Sequence, residues 1–316
     1  VHEADKIDPN ITSAFLKYKI HLQNNNQNGA VSQIQSMRKC HDFSPEFLLL
    51  SSHEAVACNA FPVAVSALTD LLDFHHSGKP IPVREVVILR TLTAMLSQEP
   101  SNESSILKFT KLTRSRWSEH GNDSFYGEGD AGTRERNWFA TMSWNAAVQC
   151  GKESKFEIAS EFFHLASDFF GQTDERMACK SLVLSLCSIA ALPVPVPETR
   201  RHHAADLLKK TETMVTSCKS AIEPELLFMF TYVAYDMQTL NDGVSESQQL
   251  NLLKRYASSK ACRAENLLQL GILASGGNKE AARYALSECV SAGLSCEEVD
   301  YGTVAVALRK MIGEIG

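Results

Sequence analysis

The stretch 154–171, SKFEIASEFFHLASDFFG, decides how this chain is read. Phe156, Ala159, Phe163, Ala166 and Phe170 recur at +3, +4, +3 and +4, which puts them on one stripe of an α-helix. Phe162 and Phe169 extend that stripe sideways. Ser154 with Glu157 three residues on predicts a capping box at the start, and Gly171 predicts the stop. A helix apolar over so wide an arc has neighbours on two sides, as a helix inside a stack does.

The same organisation spreads outward. Start signals recur at Ser44-Pro45-Glu46, Thr173-Asp174-Glu175, Glu223-Pro224-Glu225, Ser245-x-x-Gln248 and Ser295-x-x-Glu298. Breaks fall at Gly78 to Pro82, Pro100, 119–132, Pro193 to Pro197, Asn241 to Gly243 and Gly276-Gly277. Between them the pattern predicts helices near 11–23, 29–40, 46–58, 62–76, 83–97, 103–118, 134–151, 155–170, 174–192, 198–219, 224–240, 246–258, 261–275, 279–292 and 297–313. No convincing strand pattern appears, although VREVVIL at 83–89 suits either strand or helix.

Candidate repeats begin near 46, 84, 135, 174, 224, 262 and 297, at intervals of roughly 35 to 50 residues. In the unit 135–171, Ala159-x-x-x-Phe163-x-x-Ala166 matches the small-residue and aromatic positions of a tetratricopeptide repeat (TPR). Ala64-x-x-x-Leu68-x-x-Leu71 and Ala282-x-x-x-Leu286-x-x-Cys289 echo it, while the first-helix pattern W-x-x-L-G-x-x-Y is degraded throughout. The expected fold is all-α, an irregular TPR-like α-solenoid of stacked antiparallel helix pairs, running as a single array over 1–316. The opening VHEADKIDPN has no initiator Met, so the expectation is the later portion of a longer array.

Composition is that expected of an ordinary soluble globular protein. Of 316 residues, 44% are hydrophobic and 22% charged, and the formal net charge is −6. That sign argues against non-specific nucleic-acid binding, which draws on phosphate neutralisation by Lys and Arg. Nine cysteines lie scattered with no C-x-x-C pair, most on apolar helix faces, which points to a reducing compartment, cytosol or nucleus. The sequons at Asn10, Asn102 and Asn122 are then chance matches. The run SLVLSLCSIAAL at 181–192 is nearly all apolar but too short for a membrane span, which needs about 20 such residues, so it reads as a buried helix. PVPVP behind it reads as a stiff extended connection.

YGEGDAGTRERNWF, residues 126–139, carries a G-x-G-x-x-G spacing at Gly127, Gly129 and Gly132. A dinucleotide site needs a strand before that motif, yet RWSEHGNDSF precedes it, and Glu128 and Asp130 would face the phosphates. The segment 119–133 is therefore expected to be a flexible loop between repeats. The rest of the catalytic search yields no H-E-x-x-H, G-x-S-x-G or EF-hand loop. His75-His76 and His202-His203 are adjacent pairs whose side chains diverge on a helix, so neither chelates alone. The basic stretch TRRHHAADLLKK, 199–210, reads as a solvated helix face, with a phosphate or nucleic-acid patch as the alternative. No catalytic, metal or cofactor site is expected.

One helix carries a candidate binding surface. In 134–152, Phe139, Met142, Ala146 and Cys150 form one apolar stripe, and Ala140, Trp144, Ala147 and Val148 form a second. Between them run Arg134, Trp138, Thr141, Asn145, Gln149 and Lys152, as expected of a first repeat helix lining an inner groove that holds peptides. Asn and Lys would supply hydrogen bonds and Trp138 an anchor. The plainer alternative is a wet helix face with Trp138 half-packed.

WFATMSWNAAVQCGKESKFEIASEFFHLASDFFG, 138–171, resembles the helical-repeat segment of the meiotic Spo-twenty-two/Zip-four family, most closely its plant members. Trp144, Asn145, Gly151, Lys152, Phe156, Glu157, Ala159, Phe162 and Phe163 carry the resemblance, which covers about a tenth of the chain. It implies a non-enzymatic scaffold for crossover formation and synapsis, located in the nucleus on meiotic chromosomes. Such scaffolds link an XPF-like/ERCC-like pair and a RING-type ligase to the chromosome axis. It implies no catalytic or metal-binding residue and no cofactor. The alternatives are a TPR-type adaptor of another pathway, such as a chaperone or ubiquitin-ligase subunit, and an all-helical enzyme.

Overall fold

A computed structural model describes residues 10–171, 173–193, 198–218, 222–239, 245–295 and 300–315. Among these the fold is all-α: sixteen helices and no strand, an irregular TPR-like succession of antiparallel helix pairs. The chain divides into two compact units, 1–139 and 140–316, where the sequence reading has a single array. The first holds α1 (Ile11–Gln23), α2 (Gln27–Met37), α3 (Pro45–Ala57), α4 (Phe61–His76), α5 (Glu85–Leu96), α6 (Glu103–His120) and α7 (Asn122–Tyr126). Helix α8 (Gly129–Lys152) contributes to both. The second continues with α9 (Phe156–Phe170), α10 (Glu175–Ala190), α11 (Glu198–Ser217), α12 (Pro224–Thr239), α13 (Glu246–Ala257), α14 (Ala264–Ala274), α15 (Lys279–Ser295) and α16 (Tyr301–Ile315). The ambiguous run at 83–89 belongs to α5. The Pro-rich positions 194–197, the break at 241–243 and Glu298 lie outside the described residues.

A single turn recurs within three helix pairs. Asn25, Asn59 and Ser154 adopt left-handed backbone, with φ of 54°, 55° and 59°. In each case the next amide donates to a carbonyl five residues back: Asn26 to His21 (2.9 Å), Ala60 to Ala55 (2.8 Å), Lys155 to Cys150 (2.9 Å). The left-handed residue's own amide donates three residues back, to Leu22, Val56 and Gly151. That is a Schellman closure, and it reverses the chain with no further loop. Ser154 therefore ends α8 and does not cap α9, whose N-cap Lys155 makes no side-chain cap hydrogen bond, so the predicted capping box is not formed. The box at Ser245 and Gln248 is formed in full. Left-handed backbone penalises a Cβ, so Ser154→Gly is expected to stabilise the second unit by roughly 0.5–1 kcal/mol in a denaturant melt. A loss would show that the serine side chain does more there than tolerate its backbone.

Stacking follows an alternate-helix rule visible in the polar ties. In the first unit the Tyr18 hydroxyl donates to the Ser51 carbonyl (2.5 Å) and Lys19 pairs with Glu54 (3.1 Å), joining α1 to α3 across 33 and 35 residues. Arg38 and Gln35 both reach Asp70 (2.6 and 2.9 Å), joining the end of α2 to α4 across 32 and 35 residues. A tetratricopeptide repeat is about 34 residues long. In the second unit the offset lengthens. Lys210–Asp168 (2.8 Å) links α11 to α9 across 42 residues, and Arg255–Glu212 (2.7 Å) links α13 to α11 across 43. Lys180 and Arg176 on α10 pair with Glu223, beside α12. The small-and-large pattern read at three places is buried at all three. Ala64, Leu68 and Leu71 on α4, Ala159, Phe163 and Ala166 on α9, and Ala282, Leu286 and Cys289 on α15 are each withdrawn from solvent.

The face of α9 differs from its predicted centre. Ala159, Phe162, Ala166 and Phe169 are fully buried, at +3, +4 and +3, while Phe156 and Phe170 sit at its half-exposed margins. Helix α10 packs against this face so closely that Ser185 Oγ donates to the Ser160 carbonyl at 2.8 Å. The 181–192 run belongs to this buried helix through Ala190, and no helix among the described residues is long and apolar enough to cross a membrane.

The flexible loop expected at 119–133 is instead structured. Helix α6 runs to His120, Gly121 turns at φ 80°, and α7 follows at once. Phe125 and Tyr126 are buried, with Tyr126 against Trp117 (5.8 Å) and Phe139 (6.2 Å) between ring centroids. Arg84 donates to the Phe125 carbonyl at 3.0 Å. These contacts override a glycine-rich, polar sequence with weak intrinsic helicity. Gly127 and Gly129 take φ of 98° and 64°, and a Cβ on Gly132 would collide with the Gly127 carbonyl oxygen. The glycines thus build a tight α7–α8 turn, and a helix precedes the motif where a nucleotide site needs a strand.

Candidate functional site

Helix α8 carries the six residues of the predicted stripe. Arg134 and Trp138 belong to the first unit, Thr141, Asn145, Gln149 and Lys152 to the second. All are exposed except Trp138, which is half-buried. Their setting differs from the expected one. Phe139, Ala140, Ser143, Ala147 and Cys150 are essentially without solvent exposure and make one broad buried face centred on Ser143. The two separate apolar stripes are the flanks of that face, and the polar residues lie on the side of the helix opposite it. The sequence split the face because serine reads as polar.

The six residues are unequally engaged. The Trp138 ring meets Phe139 edge-on at 5.0 Å, and the Arg90 guanidinium lies 4.9 Å from its centroid. Arg90 is itself held by Glu135 at 2.5 Å. One indole face is thereby covered from α5, a cation–π contact that the sequence, with 90 and 138 so far apart, did not signal. Arg134 donates to the Asp130 carbonyl (3.3 Å) and Gln149 to Glu153 (2.6 Å). Thr141, Asn145 and Lys152 stand in solvent. Behind them Trp144 meets Phe163 edge-on at 5.4 Å and joins α8 to α9.

The first unit also contains an ionic cluster that sequence reading missed. Glu85, at the start of α5, is buried and accepts from Arg116 Nε at 3.0 and 3.1 Å. His76 Nε2 lies 2.7 Å from one of its oxygens and His75 Nε2 3.6 Å from the other. The adjacent histidines, expected to diverge, converge on one carboxylate because they end α4 where α5 begins to pack. Burial works against the Arg116 charge, but Glu85 and Glu119 outweigh it and hold the guanidinium pKa above its usual value. The signal available in sequence was a lone acid in the apolar run VREVVIL. The cluster borders a cleft of about 630 Å3, open to solvent and lined also by Lys79, Pro80 and Leu112. It ties α4, α5 and α6 together. Arg116 fills the coordination of the carboxylate that a metal would need, and no group of three or more His, Cys, Asp or Glu suited to a metal occurs among the described residues.

Other candidates resolve into structure. Lys210, in the basic stretch 199–210, bonds Asp168 and lies 3.0 Å from His164 Nε2. Asn10 caps α1 by accepting from the Thr12 and Ser13 amides. Burial pushes the thiols of Cys187 and Cys289 up to about 11 and that of Cys179 to about 12, away from nucleophilic or redox reactivity.

No known protein-family model matches the chain. Among solved structures, a tetratricopeptide repeat protein from Parabacteroides merdae is similar to it over 94% of this chain and 98% of that one, at 10% identity and a TM-score of 0.30. So loose a likeness bears on neither partners nor activity.

Proposed function

We propose that the chain is a non-enzymatic scaffold of helical repeats that binds protein partners in meiotic crossover formation and synapsis. The observation that carries this reading is a division among the nine residues resembling the Spo-twenty-two/Zip-four segment. Ala159, Phe162 and Phe163 are buried, and Trp144 packs on Phe163, so the fold accounts for them. Asn145 and Lys152 are exposed on α8, and packing asks nothing of their identity. On this reading they recognise a partner, with Thr141 and Gln149 beside them and the open side of Trp138 as an apolar contact. The partners are an XPF-like/ERCC-like pair, a RING-type ligase or chromosome-axis proteins, met in the nucleus on meiotic chromosomes. Direct sequence-specific nucleic-acid binding, membrane association and a cofactor form no part of the reading.

The test is a titration of the chain against each of those recombinant proteins, preceded by crosslinked pull-down from meiotic tissue. Asn145→Ala combined with Lys152→Glu is expected to weaken the productive pairing by roughly 2 kcal/mol. Stability should stay within about 0.5 kcal/mol of wild type, since both residues are exposed. Undiminished binding by the double variant would remove the α8 stripe. Binding to a chaperone or ubiquitin-ligase component, with none to crossover proteins, would instead favour an adaptor of another pathway.

A further inference from the structure

Two glycines isolate α7 from the helices it joins. Gly121 and Gly127, on either side of it, have φ of 80° and 98° with ψ of 168° and 165°, a backbone region that glycine alone occupies readily. Neither α6 nor α8 runs through α7, so α7 can change its state without unravelling either. A five-residue helix has no stability of its own, and α7 exists through its contacts with the first unit. Those contacts are mixed in sign. In favour stand the buried rings of Phe125 and Tyr126 and the bond from Arg84 to the Phe125 carbonyl. A second tie runs from Arg136 to the Asn122 side chain at 3.3 Å. Against them, Tyr126 Oη, Glu135 Oε1 and Arg136 Nε are buried with no hydrogen-bond partner in the protein. Burial drives the Tyr126 phenol above its usual pKa, Arg136 opposes that rise and Glu135 adds to it, which sets both charged groups near the hydroxyl. Each unpaired atom costs free energy in the closed arrangement, and release to water returns it.

We infer that α7 is a hinged flap, latched by Arg84, that opens from the first unit in a local step of its own before the helices on either side unfold. Release lets water reach the unpaired polar atoms, and it uncovers the rings of Trp117 and Phe139 where Tyr126 lies against them. Phe125 and Tyr126 supply the closing force, and the unpaired atoms beneath limit it. Segments held by so balanced a set of contacts form the low-stability end of a native structure, from which lids are drawn.

Native-state amide exchange on the whole chain, read by NMR at Phe125 and Gly127, tests this. Both amides are hydrogen-bonded in the closed flap, to the Gly121 and Asp123 carbonyls. They are expected to exchange faster than the amides in the middle of α6 and α8. Low denaturant should hardly change their rates, as a small opening exposes little surface. Arg84→Met keeps the aliphatic stem and removes the latch, so exchange at both amides should rise roughly tenfold, the effect of losing one hydrogen bond to a charged group. Tyr126→Phe keeps the ring and removes an unpaired hydroxyl, so exchange there should fall at least about threefold. Neither substitution should move exchange in the second unit. Exchange at Phe125 and Gly127 in step with α6 and α8, or rates unmoved by Arg84→Met, overturns the inference. So do rates unchanged or raised by Tyr126→Phe, which would mean that the hydroxyl is satisfied in the closed flap.

Discussion

Phe162→Ala is expected to destabilise the second unit by about 3–5 kcal/mol, the range for emptying a fully buried phenylalanine site. Phe162 has no solvent exposure and lies on the centre line of α9 with Ala159, Ala166 and Phe169. The site cannot easily collapse. Helix α10 is held at its present distance by the Ser185 hydroxyl on the Ser160 carbonyl, and Ala159 and Ala166 are too small to swing into the gap. Denaturant unfolding followed by circular dichroism would read the change as a lower midpoint at unchanged slope. A loss below about 1 kcal/mol would mean that α9 and α10 close over the space, and that their packing is looser than described.

Gly132→Ala is expected to cost about 3 kcal/mol, the upper part of the overpacking range, because the obstacle is backbone. The added methyl group meets the Gly127 carbonyl, which cannot rotate away as a side chain would. Gly127 is in turn fixed by the hydrogen bond its amide donates to the Asp123 carbonyl (3.0 Å) and by Arg84 beside it. Gly151 is the matched control. It lies in the last turn of the same helix with nothing near the position a Cβ would take, so Gly151→Ala should gain up to about 1 kcal/mol of helix propensity. Equal and negligible effects at both positions would restore the picture of a slack connection before α8.

Much of this fold was legible because the helices are strongly amphipathic. All fifteen expected helices occur, with boundaries displaced by a few residues. What escaped was chosen by tertiary contact. Residues 122–133 have no helical pattern of their own, and Arg84, 41 residues before Phe125, fixes the turn that orders them. Ser154 looked like an N-cap, but the hairpin closure needs a left-handed residue there, and sequence alone does not distinguish the two backbones. Ser143, Ser160 and Ser185 are buried, and at the α9–α10 contact the small side chains permit an approach close enough for the Ser185 hydroxyl to reach the Ser160 carbonyl. Counting them as polar moved the inferred faces of α8 and α9 sideways. The stripe on α8 could be located by period, but the cover that Arg90 gives Trp138 joins residues no period relates.

The interhelical hydrogen bonds described above span at most 47 residues, however far along either unit they occur. Each is formed soon after its second helix is made, with little chain to close and so a small entropic barrier. Contacts this local favour rapid folding, and they let folding begin at any helix pair and spread to the next. Emergence from a ribosome suits such a chain, since each pair completes its contacts without waiting for distant sequence. For the same reason a lesion such as Gly132→Ala should loosen the pairs around it while hydrogen exchange stays slow a few helices away.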